Sequence, residues 1–198
     1  MADLLVIAAY LPALWLGRVP QPLNLDGELN VGAWWASGKL LLGAALVLLA
    51  GRSRAPEGPV RSAFYLAFSF GLLFLSLDEN LGIHEQITAW TQRSGAGLPL
   101  IAGRHGAWIA VYGATAVVLA LIFLKDILAM LRTDAVSSAM VGFGLSAVIA
   151  GGVVVEIMGY YAFFQNPLMQ VAIEEALELF GWSLLLAGLY RHFLRHAF

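Results

Sequence analysis

Cysteine is absent from all 198 residues. That excludes disulfides, iron–sulfur clusters, thiolate zinc sites and covalently attached c-type haem together. Charge is scarce as well: Asp, Glu, Lys and Arg make up 12% of the chain, against roughly 25% in a soluble domain. Lys39 lies near the start of the second apolar stretch and the last stretch has no lysine, which argues against a retinal Schiff base. Haem held by two imidazoles could use only His84 and His105, both at the edge of apolar segments. A net charge of −2 gives no reason to expect nucleic acid as a partner. What is present is apolar: hydrophobic residues reach 60% and the mean hydropathy is +0.79. The apolar runs leave no room for a separate soluble domain, so residues 1–198 read as one integral membrane domain.

Six apolar stretches stand out, at 3–17, 33–50, 62–90, 106–125, 136–161 and 168–190. A span needs about 20 residues, so the expected fold is an all-α bundle of six transmembrane helices, or five if the short first stretch does not cross. An acid at Asp3 and the lack of a small-residue cleavage site before Gly17 argue against a cleaved signal. The third stretch is too long for a perpendicular span, so its last two turns are expected to protrude. Arg52, Arg54, Arg61, Lys125, Arg132, Arg191 and Arg195 fall in the segments after stretches two, four and six. The positive-inside rule then makes that side cytoplasmic and places both termini there. His192 and His196 read as part of the C-terminal cytoplasmic anchor.

The informative residues are acids inside these stretches: Asp78, Glu79, Glu85, Glu156, Glu174, Glu175 and Glu178, seven of thirteen. A carboxylate in the hydrocarbon region costs at least a few kcal/mol, so such residues face the bundle interior and mark function. Counted from the cytoplasmic ends, Asp78 and Glu174 stand at about 24 Å and Glu156 at about 30 Å. All three reach one level in the outer half of the membrane. On a continuous helix Asp78 and Glu85 would share a face within about 20°. Glu174 and Glu178 stack one turn apart, with Glu175 beside them. The loop 24–30, with Asp26, Glu28, Asn24 and Asn30, is expected on the same side.

Like charges so close require protons, a nearby Arg or a cation. A metal neutralises them most economically. Asp78, Glu85, Glu156, Glu174, Glu175 and Glu178 are therefore candidate ligands for a divalent ion (Mn, Fe, Ca, Mg or Zn), an oxygen-rich set with at most one or two imidazoles. Glu79 and His84 are candidate catalytic groups. No Glu-x-x-His occurs, which departs from the di-iron bundle pattern. Such a metal activates water and polarises an acyl or phosphoryl oxygen, suiting hydrolysis of a lipid-like substrate. Membrane lipid, and other membrane subunits, are the expected partners. A proton- or cation-coupled carrier and an accessory subunit of a larger membrane complex are the alternatives.

Two further patterns read structurally. Ser138, Gly142, Ser146 and Ala150 form a small-residue seam for close helix approach. Trp34, Trp35, Trp90 and Trp108 suit an aromatic belt.

At Ser76-Leu77-Asp78-Glu79 followed by His84-Glu85, at Leu25-Asp26-Gly27-Glu28-Leu29-Asn30 with Trp34, and at Glu174-Glu175-Ala176-Leu177-Glu178 before Gly181, the chain resembles a family of uncharacterised bacterial multipass inner-membrane proteins. The likeness spans most of the chain. It implies the bacterial inner (cytoplasmic) membrane and carries no activity with it. A looser similarity is to membrane hydrolases of the alkaline ceramidase type, which hold zinc with His and Asp inside a helix bundle. The several histidines of that pattern are absent.

Overall fold

Long apolar runs without internal proline leave the backbone little choice in lipid but to bond within itself as helix. In the computed structural model, residues 2–12, 16, 20–25, 27, 29–54, 60–102 and 105–197 are described. Every element among them is helical, apart from an isolated bridge between Ile101 and His105. The α-helices are α1 (Ala2–Tyr10), α2 (Val31–Arg54), α3 (Ser62–Leu81), α4 (Ile83–Ser94), α5 (Ala107–Ile122), α6 (Leu124–Thr133), α7 (Ala135–Ile149), α8 (Glu156–Tyr160) and α9 (Pro167–Ala197), with a short 3-10 turn at Gln21–Leu23. A π-helical stretch, Ala150–Val155, joins α7 to α8 in one rod.

Among the described residues, three elements are long and apolar enough to cross a bilayer: α2, α3 and the rod Ala135–Tyr160. Helices α5 and α6, bent by 70°, make a fourth if taken as one span. The expected count of six is not reached. Helix α1 has nine residues, about 14 Å, and residues 13–15 and 17 of the first stretch lie outside the described residues. Helix α9 has 31 residues, but Glu174, Glu175 and Glu178 at one end and Arg191, His192 and Arg195 at the other bound its apolar middle.

Helix α9 packs against α7 and α2, and α2 against α3. Leu40, Leu72, Leu179, Leu185 and Leu189 fill the core between them. Glycines set the α7–α9 approach: a Cβ on Gly181 would stand 2.7 Å from the Gly144 carbonyl oxygen, and one on Gly188 3.0 Å from that of Ser137. The seam in use thus runs through Ser137, Val141, Gly144 and Gly151, whereas Gly142 and Ser146 are exposed. The expected four-residue seam is offset because the small residues facing it on α9 select the Gly144 side. Between α2 and α3, Ser37 donates to the Ser76 carbonyl (2.8 Å), Ser76 to that of Ser37 (3.0 Å), and Ser69 to that of Ala44 (2.8 Å).

Helix α1 is pinned by charge. Lys39 Nζ donates to Asp3 Oδ1 (3.0 Å) and to the Leu179 carbonyl (2.6 Å). Asp3 also accepts from Trp35 Nε1 (2.6 Å) and Ser183 Oγ (2.5 Å). At the Arg61 end of the bundle, Arg61 clamps Asp126 through Nε (2.9 Å) and Nη2 (2.5 Å). There too Asp134, fully buried, caps α7, lies 3.2 Å from His192 Nδ1 and accepts from Arg195 Nη1 at 3.0 Å. Tyr65 Oη lies 3.2 Å from His192 Nε2. His192 is therefore a buried tie between α3, α7 and α9 rather than part of a simple surface anchor, while the His196 side chain lies outside the described residues. Helix α5 is the exception to the packing. It rests chiefly on α4 and α6, and Gly113–Ile122 are exposed without interruption.

Candidate functional site

The site starts with one glycine. Gly82 adopts φ 54° and ψ 43°, a left-handed conformation that caps α3 and starts α4, and for other L-residues it is disfavoured by roughly 1–2 kcal/mol. Its N–H bonds the Asp78 carbonyl at 2.9 Å. The expected continuous helix over 62–90 is therefore broken, and the shared face assigned to Asp78 and Glu85 does not exist. The corner brings them together by another route. Asp78 Oδ1 accepts the backbone N–H of His84 at 2.9 Å, and His84 Nδ1 stands 3.2 Å from both Asp78 carboxylate oxygens. Asp78 is buried, and Glu85 is exposed at the rim.

The second wall comes from the π-helical stretch. A widened turn of this kind displaces side chains from the α-helical register and recurs at functional sites. Its Gly151 and Gly152 let α9 come close. A Cβ on Gly151 would lie 2.7 Å from the Glu174 carbonyl oxygen, and one on Gly152 2.5 Å from Glu178 Oε1. Glu156 follows directly and accepts a hydrogen bond from Tyr160 Oη, one turn on. Tyr160 in turn stacks on His105, with ring centroids 4.5 Å apart.

These walls and α9 enclose a cavity of about 670 Å³. All eight residues expected from the sequence line it: Asp78, Glu79, His84, Glu85, Glu156, Glu174, Glu175 and Glu178. Asp26 and Glu28 of the 24–30 loop lie outside the described residues, while Asn30 caps α2, accepting from the Ala33 N–H at 2.9 Å. Protein surrounds Glu178, whose accessible surface faces the cavity, within electrostatic reach of Glu79, Glu175, Glu174 and Glu156. Glu79 Oε1 accepts from Trp182 Nε1 at 3.1 Å. Seven carboxylates therefore face one chamber, with His84 as the basic group in its wall and Lys39 behind it within electrostatic reach of Glu79 and Glu175.

Among the described residues, no three His, Asp or Glu side chains converge tightly enough to form a coordination sphere. The reason is visible in their partners. Asp78 is engaged by His84, Glu156 by Tyr160, and Glu79 by Trp182. The chamber is an acidic, partly aromatic room, and any ion bound there requires rotation of the Glu side chains about their flexible stems.

Several wall residues carry no obvious mark in the sequence. Trp182 stands one turn after Glu178, a spacing that could have revealed it, whereas Trp108, expected in the aromatic belt, instead lines the chamber with Tyr112. The Asp3–Lys39 pair beside the site is signalled only by two charges in apolar stretches.

Fold and site together define a class: a protein that is helical throughout its described residues, with three or four helices among them apolar enough to span a membrane and an acidic chamber at one end of the bundle. The chain belongs to the DUF8692 family, a domain of unknown function, whose profile matches residues 1–193. No curated protein and no solved structure matches it.

Proposed function

We propose that the chamber is a cation-binding site in the outer half of the bacterial inner membrane and that the protein is a metal-dependent hydrolase acting on lipid-like substrates. The observation that carries the reading is the charge imbalance: seven carboxylates line one partly open chamber with a single imidazole in its wall. An assembly of that kind in low dielectric is relieved by bound protons or by counter-charge. A divalent ion supplies it and would polarise a carbonyl or phosphoryl oxygen and activate water. Asp78, Glu85, Glu156, Glu174, Glu175 and Glu178 are the oxygen donors. Glu79, oriented by Trp182, is the proton acceptor for the attacking water, and His84, held by Asp78, returns a proton to the leaving group.

The proposed topology has α9 as a further span, giving five, with the C-terminus cytoplasmic by the charge rule. Helix α1 runs from Asp3, at the level of Lys39 and Ser183, to Tyr10, packed with Leu25, Val171 and Ala172. These contacts support a proposed position for α1 within the outer half, with the N-terminus on that side in place of the expected cytoplasmic one. A carrier is less well supported: the leucine-rich core fills the space between the chamber and the Asp134–His192 network.

The test is release of product from phospholipid and ceramide-type substrates by protein in nanodiscs, with and without a chelator. Expected are chelator-sensitive turnover and a loss of about 100-fold or more in Glu79→Gln. No product release would overturn the hydrolase reading, and turnover unaffected by chelator and variant would overturn the roles given to the metal and to Glu79.

A further inference from the structure

The chamber opens sideways. Gly113 and Ala116 of α5 and Leu145, Val148 and Ile149 of α7 line the same cavity as the carboxylates. A packed helix buries one side, yet α5 from Gly113 to Ile122 buries none. A Cβ built on Gly113 meets nothing within 4 Å. The cleft between α5 and α7 is thus an open passage from the chamber to the surroundings of the bundle, where a bilayer places hydrocarbon.

Polarity changes along this passage. In the rod beginning at Ala135, Leu145 lies about 15 Å from the start and Glu156 about 32 Å. The cleft is therefore apolar toward the middle of the membrane and leads to acids near its surface. That gradient matches a lipid of the adjacent leaflet, with its tail toward the bilayer centre and its head at carboxylate level. A second copy of the chain or another subunit would offer a uniformly apolar helix and leave the acids unmatched.

The headgroup follows from charge and ring chemistry. Seven carboxylates repel phosphate-only or glycerol-phosphate heads and attract an ammonium. Trp108, Tyr112, Tyr160 and Trp182 line the same chamber, and aromatic faces bind ammonium groups. We propose that the chamber admits an amine-bearing lipid through the α5–α7 cleft, the ammonium head among the carboxylates and one chain left in the cleft. This rests on the reading of the chamber as a cation site, and on neither a metal nor hydrolysis. Seven carboxylates exceed the charge of one divalent ion, so both cations fit.

The experiment uses the full chain in phosphatidylglycerol nanodiscs doped with phosphatidylethanolamine or phosphatidylglycerol carrying a photoactivatable diazirine in one chain. Expected is about tenfold stronger labelling by the amine lipid, mapped to peptides of α5 and α7. Gly113→Phe and Ala116→Phe, on a helix face that packs on nothing, abolish it, and a Glu174→Gln/Glu178→Gln variant loses the headgroup preference while keeping cleft labelling. Equal labelling by both lipids, labelling elsewhere, or indifference to the two Phe variants overturns the proposal. So does competition by soluble phosphoethanolamine as effective as that by unlabelled lipid. Metal-free protein that still selects the amine lipid sinks only the metal reading, and metal-loaded protein without lipid preference sinks only this one.

Discussion

Replacing Lys39 by Met leaves Asp3 as an unpaired charge in the bundle interior. The side chains of Lys39 and Asp3 are 4% and 8% exposed, and Nζ stands 3.0 Å from Oδ1. At an effective dielectric near 20, that separation corresponds to about 5 kcal/mol of attraction. Desolvation offsets most of it while the pair is intact, but removing one partner leaves the other's desolvation uncompensated, at about 3–5 kcal/mol. Lys39→Met is therefore expected to destabilise by that amount. Asp3→Asn should cost less, because Asn still accepts from Trp35 and Ser183 and Lys39 keeps the Leu179 carbonyl. The double variant carries no buried charge and should recover at least about 2 kcal/mol relative to the sum of the singles. Equilibrium unfolding in mixed micelles measures all four corners of the cycle. Additivity within about 0.5 kcal/mol would show that the two charges do not meet and that α1 is not pinned where the contacts place it.

Three other outcomes follow from the geometry. Gly82→Val forces a β-branched residue into a left-handed conformation; it should cost about 1–2 kcal/mol or more in the same unfolding assay and loosen the His84–Asp78 contact, read from the His84 ring resonances. Gly152→Ala places a Cβ 2.5 Å from Glu178 Oε1 and should destabilise by about 1–3 kcal/mol, whereas Gly142→Ala, with open space around it, should stabilise by about 0.5–1 kcal/mol. At Asp134, burial pushes the carboxyl up, and hydrogen bonds from Ser137, His192 and Arg195 outweigh it and draw it down to about 2 from 3.8. The native state therefore gains about 2 kcal/mol from this group above pH 4 and loses it as pH falls from 4 to 2. A thermal-unfolding series should show that drop, and Asp134→Asn should flatten it.

The acids are legible in the sequence because an ionisable group in an apolar run is costly, so few positions carry one without a purpose. Their convergence follows from counting residues along helices, and the structure brings all eight side chains to one cavity. The local geometry is less legible. The face shared by Asp78 and Glu85 assumes uninterrupted periodicity, and Gly82 breaks the helix between them by a backbone state the pattern of side chains does not encode. The π-helical stretch is hidden because Ala150–Val155 is uniformly small or apolar, with no polar residue to mark its change of register. Lys39 and Asp3 pass as end-of-helix charges until the packing of α1 joins them. His192 passes as part of a basic tail because its partners, Asp134 and Tyr65, are distant in the chain. The number of spans is ambiguous for a physical reason as well: the acids that α9 contributes to the chamber also lower its apolarity.

Elemental analysis of the purified protein, wild type beside Glu174→Gln/Glu178→Gln, addresses the acidic chamber most directly. A stoichiometric divalent ion retained by the wild type and lost from the variant is expected. Protein that stays metal-free after exposure to Mn, Fe, Ca, Mg and Zn in turn, or a variant that keeps its ion, would contradict it.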